Sequence, residues 1–206
     1  MKTVTVSGVA IDIADGPIGI SFSGGADSSL LLYILMQNHA DQIHVFTCAN
    51  KLKMYSAAKV SQQVLEYCVD LTGNNNVIHH IWFVKEQDDG NLFGIQHHYQ
   101  DLGIVTVNYT AITANPPKWV TDGFRDFDTQ QAARDPTVIR PVCSKNKHWP
   151  FINIDKSRIS NMYRELDITD RLFPLTRSCE STDISRGHCG KCWWCEERQW
   201  GFGRLE

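Results

Sequence analysis

The sequence predicts an α/β fold, a parallel sheet with helices on both faces, and three observations predict it. Short β-branched runs alternate with amphipathic stretches of helical period through the first half of the chain. A glycine–serine turn, Ser23-Gly24-Gly25-Ala26-Asp27-Ser28, stands between the first central run and the first such stretch. Turn and stop signals, Asp15-Gly16-Pro17 before the first central run and Gly73 after the second helical stretch, separate the periodic segments.

The elements follow in order. Residues 3–13 alternate apolar and polar side chains, the pattern of a strand or hairpin, and Asp15-Gly16-Pro17 is a turn signal. A strand over 18–22 runs into the glycine loop, and a helix over 27–38 follows with Leu30, Leu31, Ile34 and Leu35 as its apolar stripe. The second strand is 43–48. The helix over 54–71 carries Ala57, Val60, Val64, Cys68 and Leu71 on one stripe, and Gly73 stops it. A third strand over 77–84, a helix near 92–101 and a fourth strand over 104–109 complete the alternation.

From 110 to 150 the periodicity fades. Asn115-Pro116-Pro117, Asp135-Pro136, Arg140-Pro141 and Trp149-Pro150 punctuate a long segment whose Trp119, Phe124, Phe127 and Trp149 favour an ordered binding loop. Asp155 is placed to N-cap a further helix, with Ile159, Met162, Tyr163 and Leu166 on its apolar side. The economical organisation is one domain over 1–206, with 176–206 as a C-terminal metal-binding segment.

Composition excludes several functions. A formal net charge of −3 gives no basic footprint for wrapping nucleic acid. No apolar run approaches the ~20 residues that span a bilayer, and the first residues alternate in polarity where a secretory leader would be continuously apolar. The expectation is a soluble, cytoplasmic protein.

In a parallel sheet, ligands bind beyond the carboxyl ends of the strands, at the point where strand order reverses. The loop after Phe22 would lie there, as would Thr47 to Lys51 and Asn108 to Pro117. Glycines between a strand and a helix let backbone N–H groups converge, and the helix N-terminus adds partial positive charge. Ser23 and Ser28 add hydroxyl donors, so the turn suits a phosphate or pyrophosphate. Neither Gly-X4-Gly-Lys-Ser/Thr nor Gly-X-Gly-X-X-Gly is present in it. The loop resembles the PP-loop of the ATP pyrophosphatases, which split ATP into AMP and pyrophosphate to activate a substrate.

Cys179-X9-Cys189-X2-Cys192-X2-Cys195 is the second strong signal. Four thiolates at this spacing suit a tetrahedral zinc ion and leave no open coordination position, so the site is read as structural. An iron–sulfur cluster is the alternative for the same ligands, and His188 is ranked a neighbour. Cys48 and Cys68 read as small core residues.

Together the two motifs resemble the QueC family, the 7-cyano-7-deazaguanine (preQ0) synthases. The resemblance is carried by the loop, by Pro150-Phe151 with Lys156 and Ile159, by Thr176-Arg177-Ser178-Cys179, and by His188 to Arg198. It implies an adenine-nucleotide alpha-hydrolase-like (Rossmann-like) fold, ATP and Mg2+ as cofactors, a structural Zn2+ and, weakly, a homodimer. It further implies that a 7-carboxy-7-deazaguanine carboxylate is adenylated, aminated by ammonia, and dehydrated to the nitrile in a second round. On this reading Ser21, Phe22, Ser23, Gly24, Gly25, Ala26, Asp27, Ser28, Ser29 and Thr47 bind the nucleotide. Asp27, Ser28, Lys156 and Arg177 act on the phosphates, with Asp27 as a Mg2+ ligand.

The centre of the chain departs from that family. Family members carry an Arg-Asn pair after the fourth strand and a Tyr-Pro-Asp-Cys stretch beyond it, where this chain reads Asn108 to Pro117 and Asp122 to Asp128. The family's Trp-Ser-Cys-Tyr is here Arg177-Ser178-Cys179-Glu180. Tyr109, Trp119 and Phe124 are candidates to stack on a flat substrate. Two other functions stay open: sulfur transfer, with Cys143 as the reactive thiol, and a non-catalytic nucleotide-binding module.

Overall fold

The computed structural model describes residues 1–50, 55–84, 90–124, 142–144, 146–179 and 187–206. Lys51, Phe127, the Asp135-Pro136 and Arg140-Pro141 turns, Glu180 and the side chain of Cys143 lie outside the described residues.

β1 (Lys2–Val6) and β2 (Val9–Ile13) form an antiparallel hairpin that turns through Ser7 and Gly8, both at positive φ. Alternation puts Val9, Ile11 and Ile13 on one face, and that face closes onto the core. The hairpin is a separate sheet.

The main sheet contains β3 (Ile18–Ser21), β4 (Ile43–Asn50), β5 (Val77–Val84), β6 (Val107–Tyr109), β7 (Val142–Ser144) and β8 (Lys147–Trp149). Their spatial order is β5-β4-β3-β6-β8-β7, and every pairing is parallel except β7 with β8. In register, Ile18 stands between Ile43 and Val107. The chain steps outward from β3 to β5 and then returns to the other side of β3. Right-handed crossovers therefore put α1 (Ala26–Asn38) and α2 (Tyr55–Thr72) on one face and α3 (Gly90–Asp101) on the other. Tyr99 of α3 meets the His44, Phe46 and His80 face of the sheet, as that handedness requires. The reversal between β3 and β6 is a topological switch point, and the glycine loop leaves β3 there.

After α4 (Lys118–Thr121), α5 (Lys156–Glu165) packs on α1, and α6 (Trp193–Phe202) packs on α5. Asp155 caps α5, accepting from the backbone N–H groups of Ser157 and Arg158. With neighbours around it, α1 is buried on nearly every side, Leu32 and Tyr33 as well as the expected stripe.

Three expectations need correction. The fourth strand is shorter than 104–109, because Ile104 is more than a third exposed and only Val107–Tyr109 pair with β3 and β8. The irregular segment holds the β7–β8 hairpin, whose three-residue strands are too short to show alternation. Cys48 is half-buried at the end of β4 and not part of the core. Cys68 is fully buried, and burial pushes its thiol up to about 12.

Candidate functional site

The glycine loop ties two of its own amides, Ser23 N to Ser28 Oγ and Gly25 N to Ser23 Oγ, and leads into a helix whose first turn has no side-chain cap. Gly24 takes φ +74, and a Cβ there would meet Val60 and the backbone of Ser61, so this position admits only glycine. Gly25 is the N-cap of α1 with no side-chain cap, which leaves the first-turn N–H groups of the helix facing outward with its dipole behind them. Ser23 and Ser28 meet through their hydroxyls at 3.2 Å, and Ser23 is exposed. Ser29 is turned inward, donating to Gly25 O at 2.8 Å. That is an anion cradle, with Ser23 and Ser28 at its rim.

Behind the cradle lies a buried charge cluster drawn from three helices. Lys156, 3% exposed, donates to Asp27 Oδ2 at 2.5 Å and stands 3.5 Å from Glu197 Oε2. Burial works against the Lys156 charge, but Asp27 and Glu197 outweigh it and hold the ammonium above the usual lysine range. Burial pushes Glu197 up in turn, against the pull of Lys156. The other Asp27 oxygen, Oδ1, is buried without a hydrogen-bond partner among the described residues. Asp27 and Glu197 line a pocket of about 200 Å³, walled by residues 111–115 and by Trp193 and Trp194, whose rings stack. Asn115 lines it too, and its amide nitrogen is likewise buried without a partner.

The C-terminal segment closes the loop from outside. Arg177 N donates to Gly24 O at 2.9 Å, so the segment that leads to the cysteines rests directly on the phosphate cradle. Tyr163 reaches Ala26 O at 2.7 Å from α5. Cys179, Cys189, Cys192 and Cys195 bring their sulfurs within 4.8 Å of one another. Cys189 N donates to Cys179 Sγ and Lys191 N to Cys189 Sγ, each at 3.4 Å. Burial resists ionisation of Cys189, yet the Lys191 N–H and the neighbouring thiols bring it down to about 7. These four residues can hold a metal ion. His188 stands outside the group, kept neutral at about 4 by burial and by Arg198 and Arg177.

Arg198 locks this segment to the body. Fully buried, it donates to Leu205 O, Thr176 Oγ1 and Phe173 O, and its guanidinium lies 3.7 Å from the Phe173 ring centre. Gly201, three residues on, lets α6 approach α5. A Cβ there would stand 2.5 Å from Lys156 Cγ.

The structure thus brings Asp27, Ser28, Lys156 and the cysteine segment together. Lys156 is neither a solvated lysine nor an uncommitted phosphate cation, since two carboxylates already hold it. Arg177 contributes its backbone to the loop, while its Nε donates to Cys179 O at 3.3 Å. Thr47 is fully buried and gives its hydroxyl to Phe22 O at 2.7 Å, supporting the loop from beneath. Ser21 and Phe22 are buried as well, and Ser21 accepts from Gln96. Tyr109 is core, its hydroxyl donating to Asp12 O, and Trp119 is 67% exposed against the edge of Trp200. Phe124 is half-buried. Asn115 lies in the Asn108 to Pro117 stretch expected at the ligand end of the sheet, whereas Glu197, Gly201 and the Trp193–Trp194 pair had no functional role assigned from the sequence. The available signal was the helical spacing of Trp193, Glu197 and Gly201, four residues apart each time.

A family model described as asparagine synthase matches residues 9–107, and one described as queuosine biosynthesis protein QueC matches residues 142–206. Residues 108–141 fall between them, where the substrate segments depart from the QueC pattern. No curated protein matches the sequence. Among solved structures, NMN synthetase from Francisella tularensis superposes with a TM-score of 0.47 at 12% identity, over 93% of this chain and 85% of that one. The U34-tRNA thiolase NcsA from Methanococcus maripaludis with its 4Fe-4S cluster gives 0.43 at 9% identity, over 90% and 64%. No helix among the described residues is long and apolar enough to cross a membrane. The glycine loop lies within one match and the cysteine quartet within the other, and the two are joined in space through Arg177 and Gly24, which supports a QueC-like PP-loop protein.

Proposed function

We propose that the chain is an AMP-forming carbon–nitrogen ligase that activates a carboxylic acid of the 7-carboxy-7-deazaguanine type. The observation that carries the reading is the Arg177–Gly24 contact, which makes the phosphate cradle and the metal-binding segment one site opening onto one pocket.

In the first half-reaction a substrate carboxylate oxygen attacks the α-phosphorus of ATP, the α–β bridge breaks, and pyrophosphate leaves. The unclaimed N–H groups at the start of α1 and the hydroxyls of Ser23 and Ser28 are the donors available for the charge that develops on it. Ammonia then attacks the acyl carbon, AMP departs with the oxygen, and a proton is lost. A second adenylation on the amide oxygen, followed by loss of AMP and of both nitrogen protons, gives the nitrile. The stacked Trp193 and Trp194 offer a flat apolar wall, and Asn115 an unspent amide, for the heterocycle that carries the acid.

Asp27 fits a Mg2+ ligand, because Oδ1 is a hard oxygen, buried and unpartnered beside the cradle. Bound there, Mg2+ would offset phosphate charge. The quartet fits zinc. Four sulfurs sharing one ion at about 2.3 Å stand ~3.8 Å apart, and three pairs here lie at 3.5, 3.9 and 4.0 Å. Ligands of an iron–sulfur cluster bind separate irons and stand farther apart. Zinc with four thiolates has no open position and acts by tying 176–206 to the loop.

The test is release of AMP and pyrophosphate from ATP with 7-carboxy-7-deazaguanine and ammonium, with the nitrile identified by mass. AMP with the nitrile supports the reading. Thiolated tRNA in a parallel arm, or no AMP with any acid, overturns it. Asp27→Ala is expected to lower turnover about 100-fold or more while one zinc per chain remains.

A further inference from the structure

We propose that Glu197 is a positioning residue for the nucleotide's divalent cation: it keeps the Lys156 ammonium neutralised, so that Asp27 is free to turn to the metal. The proposal rests on the ATP-dependent reading above and adds to it a residue with no role there.

Lys156 shares its ammonium between two carboxylates, with Asp27 the nearer at 2.5 Å and Glu197 at 3.5 Å. Its stem cannot swing away, because α6 presses on it at Gly201, where a Cβ would stand 2.5 Å from Lys156 Cγ. A cation that claims Asp27 must therefore win it from an ammonium that stays nearby. That ammonium, 3% exposed, cannot be left without a counter-charge. Glu197, equally buried, is the group that remains when Asp27 turns. The charges agree. Asp27, Lys156 and Glu197 together carry −1, which attracts a dication, whereas without Glu197 they carry none.

The geometry gives a reason for the metal-binding segment to sit where it does. Cys192 is the N-cap of α6, and Glu197 lies on the next turn of the same helix. Whatever the four sulfurs hold therefore also fixes where Glu197 meets Lys156. The chemistry is a relay of counter-charges, with no bond made or broken.

The test measures binding of α,β-methylene-ATP, whose α–β bridge cannot be split, across a Mg2+ series. Trp193 and Trp194 at the pocket supply the fluorescence signal. Glu197→Gln is expected to raise the Mg2+ concentration for half-maximal binding about tenfold, because the ammonium then clings to Asp27 alone. Adding Lys156→Met to Glu197→Gln removes the competing charge and should bring the Mg2+ requirement back to about the wild-type value or below. A purely structural Glu197 would instead lower the melting temperature or the zinc content and leave the Mg2+ dependence alone. Half-saturation in Glu197→Gln within about twofold of wild type overturns the proposal, as does a double variant that shows no recovery. The double variant, with its buried charges reduced to one, keeps the test decisive if Glu197→Gln alone does not fold. Wild type that binds no nucleotide at any Mg2+ concentration overturns the ATP-dependent reading as well, so the two failures are read from different proteins.

Discussion

Gly201 illustrates how a single atom's absence can position a charge. With any side chain there, α6 would stand off from α5 and Glu197 would withdraw from Lys156. Gly201→Ala is expected to destabilise by about 1–3 kcal/mol through overpacking, read as a lower urea midpoint at unchanged slope. Asp27 and Lys156 were legible as candidates because each sits in a motif, one on the loop and one on the capped first turn of a helix. That they pair with one another was not legible, since their contact joins positions far apart in sequence. Glu197 was invisible for a further reason: it lies in a segment where the pattern predicts no helix, and a glutamate there reads as solvated until the partner that buries it is known.

At the scale of elements, the sequence reading held where periodicity was long. The strands at 18, 43 and 77 and the helices at 27, 54 and 155 fall where their patterns put them. It failed at β7 and β8, where three residues per strand cannot display an alternation, and where pairing with β6 is decided by tertiary contact. Strands β4 and β5 carry their own prediction. Burial lowers His44 and His80, and takes His79 to about 4, below the ~6.5 of an unfolded histidine. His44 Nδ1 and His80 Nε2 stand 3.0 Å apart, so both rings cannot be charged together. The unfolded chain therefore takes up protons first. Stability is full above about pH 6.5 and is lost as pH falls toward 4, and His79→Gln should flatten that loss by about 1–2 kcal/mol in urea titrations at successive pH values. On the C-terminal helix, Arg198→Met strands three acceptors and is expected to cost about 3–5 kcal/mol, with Arg198→Lys recovering only part.

Across the whole molecule, the cysteine segment and the glycine loop are mechanically one object. Stripping zinc with a chelator is expected to lower the melting temperature by several degrees and, through Arg177 and Gly24, to weaken nucleotide binding as well. A chelated protein that binds the nucleotide as tightly as before would separate the two. The Arg177–Gly24 hydrogen bond also has a kinetic meaning. It is a contact of extreme sequence separation, so its loop-closure entropy is among the last costs met in folding. The contacts within the glycine turn and α1 are local and close short loops, whereas the cradle gains its outer wall only when the Arg177 segment docks. In refolding experiments, nucleotide binding should therefore appear only with the slowest phase, after helix content has recovered. Order of assembly thus guards the site: a cradle that still lacks its Arg177 wall is expected to hold no nucleotide.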